Sequence, residues 1–301
     1  MGFEISDQGR ALNAQLQNFM DEHIYPRERE WHEWCHDPEH LWEVPAWYDD
    51  IRDKAKAEEL WNLFLPEEYA PWSPGLTNVE IAPLFETMSK VMWAQSVFNC
   101  NAPDRGNMEV LAKYGTPEQH EQWLKPLLAG EIRSAYAMTE PQVASSDATN
   151  MELEIRRDGD EYVLNGRKWW TTGAVGPRCK IMLVMGKSNP ENDRHRQHST
   201  ILVPRDTPGV KLVRTLRAFD SLHSPGGEAE LLFEDVRVPV SNMIKGVGCG
   251  FEIGQGRLGP GRFRYAMGFV GMAQRCLELM CARAQERVAF GEPLIKKTSI
   301  Q

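Results

Sequence analysis

Hydrophobic residues recur at helical spacing from the start of the chain. Leu12, Leu16, Phe19 and Met20 share one face, with Ser6 placed to cap it. Thr77 and Glu80 form a capping box ahead of Ile81, Leu84, Phe85 and Met88, where Pro83 is expected to shift the helix start. Thr116-Pro117-Glu118-Gln119 joins a cap, a first-turn proline and a Gln three residues on; Gly130 is the natural stop after Leu127 and Leu128. The pattern predicts a helical domain over residues 1–133.

The period then changes. Glu152 to Ile155 alternates, Asp158-Gly159 turns, Tyr162 to Leu164 follows, Asn165-Gly166 turns again, and Lys168 to Thr172 comes next. Asp-Gly and Asn-Gly between short alternating runs are hairpin signals. Ile181–Met185, Thr200–Val203, Val210–Val213 and Ala229–Phe233 are further strand candidates, so residues 134–245 read as a small β domain, a barrel or sandwich. From residue 246 the helical period returns, with Ala266, Phe269, Val270, Ala273, Leu277, Met280 and Ala284 on one face. The order is helical, β, helical: an α+β chain. A lone long helix before Gln301 has little to pack against, so the third domain (246–301) reads as the beginning of a helical bundle and the chain as a fragment.

Composition narrows the function. Among 301 residues, 34 Lys and Arg face 43 Asp and Glu, a net charge of −9. An acidic surface disfavours nucleic acid and anionic membranes as partners. The longest aliphatic run, Ile181 to Met185, is far too short for a membrane span. The polar, acid-bearing start lacks a secretory signal and fits a mitochondrial leader poorly, so a cytoplasmic location is expected, with peroxisomal and mitochondrial locations left open. Met1-Gly2-x-x-x-Ser6 loosely matches a myristoylation pattern, though Ser6 is better used as a cap. Six cysteines without a Cys-x-x-Cys pair read as reduced thiols.

Four motifs carry possible chemistry. His32-Glu33-Trp34-Cys35-His36 matches H-E-x-x-H, which on a helix would set His32 and His36 on zinc with Glu33 as base; Asp37-Pro38 follows at once and His40 does not complete the longer pattern. Gly254-x-Gly256-x-x-Gly259 matches a dinucleotide fingerprint but lacks a preceding strand. His195 and His198 fall in a charged stretch read as a solvated loop. The segment Tyr136 to Asp147 is different: rich in small residues and hydroxyls, it joins the helical and β regions. Asn165 to Gly173 is the second unusual block. Trp169 and Trp170 should face opposite sides of a strand, one entering the β core and one free to cover an aromatic cofactor. The residues alone point to a cofactor cleft at the α/β junction or, equally, to a plain loop beside a core Trp pair.

These two blocks also carry a resemblance. Thr139-Glu140-Pro141, Ser146-Asp147, Asn165-Gly166, Lys168 and Trp170-Thr171-Thr172 resemble the acyl-CoA dehydrogenase family. Val236-Arg237-Val238-Pro239, Gly250-Phe251, Gly259-Pro260-Gly261-Arg262, Arg287 and Phe290-Gly291 agree with it. The spelling from Met138 to Asn150 is most similar to the branch whose human members carry an extra kinase-like domain, which this chain does not show. The resemblance implies FAD between the β domain and the C-terminal helices, and a homodimer or homotetramer. It implies that Tyr136, Met138 and Thr139 line the flavin, that Ser145, Ser146 and Thr171 also bind the cofactor, that Trp170 covers the ring, and that Thr172 sits near its N5. Ser146, Arg262 and a bend at Gly259-Pro260-Gly261 would meet an acyl-CoA. Arg287 and Phe290 would reach the FAD of a neighbouring subunit, with Arg287 on the pyrophosphate.

The implied reaction is α,β-dehydrogenation of an acyl-CoA thioester. A carboxylate takes the Cα proton, hydride leaves Cβ for the flavin, and hydrogen bonds to the thioester carbonyl stabilise the enolate. An electron-transfer flavoprotein is the implied acceptor. The position beside Arg262, which holds the base in a minority of members, is Gly261. The base is therefore expected beyond Gln301. Rival readings are a non-catalytic acyl-CoA- or flavin-binding subunit, a flavin oxidase or monooxygenase of the same fold, and a zinc hydrolase through His32 and His36.

Overall fold

The computed structural model describes residues 4–301, so Gly2 of the myristoylation pattern lies outside the described residues. The helical region contains α1 (Asp7–Phe19), α2 (Glu28–His36), α3 (Trp47–Ala57), α4 (Asn78–Met88), α5 (Ala94–Val97), α6 (Asp104–Tyr114), α7 (Pro117–Gln119) and α8 (Lys125–Ala129). Its ends form where the side chains dictate. Ser6 caps α1, both capping boxes close, and Gly130 ends α8 in the left-handed conformation. Pro83 shifts nothing: α4 begins at Asn78 and runs through it.

The β region is a seven-stranded sheet: β1 (Arg133–Ala137), β2 (Glu154–Asp158), β3 (Glu161–Thr172), β4 (Cys179–Lys187), β5 (His198–Pro204), β6 (Val210–Leu216) and β7 (Glu228–Pro239). β1 runs parallel to β4 from Arg133 to Ala137, and β2 joins β4 again at Glu154 opposite Lys187. β5 holds the other edge of β4 antiparallel. So β1 and β2 lie end to end along one edge of β4, and residues 138–153 leave the sheet between them. β4 alternates cleanly. Ile181 and Leu183 join the core under the helices, while Met182 and Val184 join the interior of the curled sheet with Leu231 and Phe233.

Three expectations are corrected here. Asn165-Gly166 is not a turn: β3 continues through it against β7, with a slip in the ladder between Leu164 and Gly166. The Asn165 carboxamide oxygen accepts from the Asp235 N–H at 2.9 Å, and a Cβ on Gly166 would come 2.9 Å from the Leu153 backbone. Pairing with β7 overrides the local turn preference. Only Asp158-Gly159 turns, between β2 and β3. Secondly, β1 is a strand that the alternation did not mark. Thirdly, Gly259-Pro260-Gly261 makes no break: α9 runs from Gly250 to Glu286 as one helix, held against β5 at its start and α4 farther on. At Gly271 a Cβ would lie 1.9 Å from the Glu86 carbonyl, so the two helices cross at backbone contact.

The buried face of α9 is Ile253, Gly254, Arg264, Gly268, Gly271 and Ala284. Most of the face predicted from its apolar period looks outward: Phe269, Val270, Leu277 and Met280 are about half exposed or more, while Ala284 of that set is buried. After α9 the chain makes a short hairpin of β8 (Val288–Ala289) and β9 (Glu292–Pro293), followed by a 3-10 turn at Leu294–Lys296. Among the described residues no helix is long and apolar enough to cross a membrane.

Candidate functional site

The segment leaving β1 is tied down by a buried ion pair. Lys168 on β3 is fully buried and Glu140 nearly so; Nζ lies 2.8 Å from Oε1. Nζ also donates to the Met138 carbonyl at 2.6 Å. The Glu140 carboxylate accepts from the backbone N–H groups of Glu152 and Leu153 at 2.8 and 2.9 Å. Ser145 closes the loop: its hydroxyl accepts from the Glu140 N–H and donates to the Glu140 carbonyl. Burial lowers the Lys168 pKa to about 8, against the pull of Glu140. The pair's task is positional, since it fixes both ends of residues 138–153. The sequence offered a signal for it: a lysine at an inward position of a strand, which needs a buried acid.

With the loop fixed, Thr139 lies along β3. Its hydroxyl donates to the Trp169 carbonyl at 3.0 Å, and the Trp169 N–H donates back to the Thr139 carbonyl at 3.0 Å. The β3–β7 ladder slips between Lys168 and Thr171, and Trp170 takes a left-handed backbone with φ 49°. The two Trp side chains therefore do not divide between a core and a surface. Their ring centroids are 6.2 Å apart, Trp169 is half-buried, and Trp170 is 41% exposed. Thr172 is exposed beside Trp170, its hydroxyl donating to Glu228 at 2.8 Å.

Met138, Thr139, Trp170 and Thr172 thus share the edge where β1 ends and β3 is kinked. Their chemistry fits a flavin. Met138 and Trp170 offer apolar and aromatic surface for a planar ring. Thr139 and Thr172 have each turned their proton inward and keep oxygen lone pairs free. Ser146 is exposed on the same segment. Asp147 caps the turn at residues 148–150, accepts from the Thr149 hydroxyl, and pairs with Arg194 at 2.7 Å. Those Thr149 hydrogen bonds hold its carboxyl below the ordinary value.

Other predicted residues are placed differently. Ser145 is buried, with its hydroxyl engaged by Glu140. Thr171 faces inward, its Oγ1 without a partner. Tyr136 is buried between sheet and α9, with the Arg257 guanidinium 4.1 Å from its ring centroid, and burial raises its pKa. On α9, Gly259 and Arg262 are exposed and Pro260 and Gly261 half-buried. Arg287 lies ~54 Å along the helix axis from Phe251, at 1.5 Å per residue. Phe290 is 97% exposed beyond it. Since Met138 and Phe251 pack on one cluster, Arg287 and Phe290 cannot join the Trp170 patch within one chain.

The histidines are corrected too. His198 is no loop residue: it is buried at the start of β5, with Nε2 3.0 Å from the Met151 carbonyl. His195 is exposed against the Phe251 ring, centroids 4.4 Å apart. His32 and His36 do share a face of α2, but His36 Nδ1 lies 2.7 Å from the His32 carbonyl, Glu33 pairs with Arg29, and His40 stacks on Trp34. No third ligand joins them: among the described residues no group of three or more His, Cys, Asp or Glu is placed to hold a metal ion. Gly254 and Gly256 lie within α9, against Tyr136 and Tyr114, and not between a strand and a helix.

A helical domain, a curled sheet with an indole- and hydroxyl-lined edge, and a long following helix define a mixed helix–sheet–helix protein. Models of the acyl-CoA dehydrogenase N-terminal, middle and C-terminal domains match residues 6–131, 135–236 and 248–301. The chain is 50% identical over 293 residues to human "Acyl-CoA dehydrogenase family member 11", covering 95% of this chain and 37% of that protein. It is 46% identical to "Probable acyl-CoA dehydrogenase FadE2" of Mycobacterium tuberculosis, covering 100% of this chain and 73% of that one. A solved Mycobacterium abscessus structure described as an acyl-CoA dehydrogenase superposes with a TM-score of 0.93 at 46% identity, over 99% of this chain and 74% of that one. The chain belongs to the acyl-CoA dehydrogenase family, whose members are flavoprotein dehydrogenases of fatty acid metabolism. It spans little more than a third of the length of the human relative.

Proposed function

We propose that the chain forms the FAD- and acyl-CoA-binding part of a dehydrogenase that oxidises an acyl-CoA thioester at Cα and Cβ. The observation that carries this reading is the edge where half-buried Met138 and Thr139 lie beside exposed Trp170 and Thr172, held by the Lys168–Glu140 pair. Bound FAD would supply the hydride acceptor. Thr139 and Thr172 would hydrogen-bond its ring, Trp170 and Met138 would cover it, and Tyr136 would back the patch from the packed side. Ser145 and Thr171 would act from behind, the first by holding the loop and the second within the sheet. Ser146, Arg262 and the α9 face at Gly259, Pro260 and Gly261 would meet the acyl-CoA.

Arg287 and Phe290 would serve the FAD of a second copy, which makes a homodimer or homotetramer part of the proposal. Gly261, beside Arg262, has no side chain to take a proton. We place the Cα base on a carboxylate outside residues 1–301, and an electron-transfer flavoprotein as the acceptor. Gly261 also favours a second reading, in which the chain binds flavin and acyl-CoA without turnover.

The test is to mix the purified chain with FAD and titrate an acyl-CoA without oxygen. Tight binding of one FAD per chain or per copy pair supports the flavin site. Bleaching at 450 nm would show that the chain supplies its own base; binding without bleaching would place the base elsewhere. A chain that leaves FAD free in solution would overturn the reading.

A further inference from the structure

Thr172 has one hydroxyl proton, and the fold directs it away from the exposed edge. Thr172 and Glu228 are cross-strand partners on β3 and β7. The Thr172 hydroxyl donates to Glu228 Oε2 at 2.8 Å. The other carboxylate oxygen, Oε1, lies 3.2 Å from His223 Nδ1. Glu228 is 7% exposed, whereas the His223 side chain is 44% exposed. The preceding loop is anchored behind it. The Gly227 N–H donates to the His223 carbonyl at 2.9 Å, and the Gly173 N–H donates to the Gly227 carbonyl at 2.8 Å. A Cβ on Gly227 would meet Trp42 and Val175 at 2.7 Å, so the loop is seated closely. Neighbouring charges are matched elsewhere. Glu230, two residues on, is held by Arg167 and Arg214 at 3.2 and 2.6 Å, and Arg217 pairs with Asp220. The Glu228 carboxylate has Thr172 and His223 as its partners.

We propose that Glu228, held by His223, is a positioning residue that fixes Thr172 as a hydrogen-bond acceptor toward the bound flavin. This rests on the flavin reading above, and goes beyond it by assigning the direction of the Thr172 hydroxyl. With its proton committed to Glu228, Oγ1 presents only lone pairs outward. An acceptor there favours the reduced ring, whose N5 carries hydrogen, over the oxidised ring, whose N5 is itself an acceptor. Without Glu228 the Thr172 proton is free to point outward, which reverses that preference. A carboxylate acting by charge alone would do the opposite, because removing an anion eases reduction of the ring.

The sign decides the matter. FAD content, absorbance and midpoint potential would be measured for the FAD-loaded chain and for Glu228→Leu, Glu228→Gln and Thr172→Val. Glu228→Leu should shift the ratio of reduced to oxidised affinity about tenfold toward the oxidised form, a fall of about 30 mV for a two-electron couple. Glu228→Gln keeps an acceptor oxygen without the charge and should restore most of the original potential. In a Thr172→Val background, Glu228→Leu should leave the potential where Thr172→Val alone puts it. In the cofactor-free chain, ¹⁵N shifts should show the His223 ring with hydrogen on Nδ1, shifting toward Nε2 in Glu228→Leu. A rise in potential that is equal in Glu228→Leu and Glu228→Gln, and that persists in the Thr172→Val background, would overturn the proposal and leave the flavin site standing. A wild-type chain that binds no FAD would instead remove the flavin reading, and this proposal with it.

Discussion

Two ion pairs with both partners buried stand among the described residues, and they are built differently. Lys168–Glu140 lies where the sheet meets the outgoing loop. The Lys168 ammonium donates to Glu140 and to the Met138 carbonyl, and the Glu140 carboxylate also takes two backbone N–H groups. Arg264–Glu109 lies between α9 and α6, with Nη2 2.7 Å from Oε1 and 2.7 Å from the Phe64 carbonyl. There, Arg264 Nε and Nη1 find no hydrogen-bond partner. Burial raises the Glu109 pKa despite Arg264 and Arg105, and the same burial lowers that of Arg105 to about 10. The first pair is a closed network that fixes backbone; the second is an open one that joins two helices. Closure is what makes a buried charge worth keeping, because each unmatched group retains its desolvation cost.

The largest effect should come from opening the closed network. Lys168→Met leaves the Glu140 carboxylate buried without a counter-charge, and about 3–5 kcal/mol of stability should be lost in urea unfolding. A loss near 1 kcal/mol would mean that the two backbone N–H groups alone satisfy Glu140. Glu140→Gln should cost less, about 1–3 kcal/mol, because the amide keeps an acceptor oxygen and Lys168, its pKa already lowered to about 8 by burial, can shed its proton instead of remaining a buried cation. Proteolysis between residues 138 and 153 should accelerate in both variants before global unfolding, since this pair holds both ends of the segment.

A third outcome follows from the depressed Lys168 value. The native pKa of about 8 lies below the ordinary lysine value of 10.5, so the native chain releases this proton first as pH rises. Between those values the unfolded chain binds more protons, and this group's contribution makes stability climb with pH. Urea midpoints at pH 7.5, 9 and 10 should show that climb, and Lys168→Met should lack it. An identical pH profile in the variant would assign the climb to other groups.

The same contrast explains what could be read in the sequence. Local devices were legible. Ser6, the Thr77–Glu80 and Thr116–Gln119 boxes and Gly130 act within one turn of backbone, and all four sit where the pattern put them. Asp158-Gly159 was legible for the same reason. Asn165-Gly166 was not, because its outcome is decided by β7, some 70 residues away, through the bond from Asp235. Nor was the unbroken run of α9 through Pro260, a helix that packs against β5 and α4. At the site, the segments that hold Thr139, Trp170 and Thr172 stood out by composition and the three residues by family resemblance, whereas Glu140, Lys168 and Glu228 have roles that exist only through partners far along the chain. The apolar period of α9 was read correctly as a face, but periodicity cannot say what covers it, and Phe269 and Met280 are exposed.

The smallest effect tests the open pair. Glu109 has a native pKa above its ordinary value of 4.5, with burial as the largest cause. The native state therefore holds this proton to higher pH than the unfolded chain does. From about pH 4.5 upward the native chain binds more protons, so this group's contribution to stability falls as pH rises through the raised native value. Glu109→Gln carries no titrating group and should lack that fall. The amide resembles the protonated acid in shape and charge, so at pH 5 the variant should unfold within about 1 kcal/mol of the parent, well below the cost of Glu140→Gln. At pH 8 the gap should narrow or change sign. A gap that widens with pH would mean that Arg264 stabilises the carboxylate by more than burial penalises it. The two pairs would then differ in geometry but not in kind.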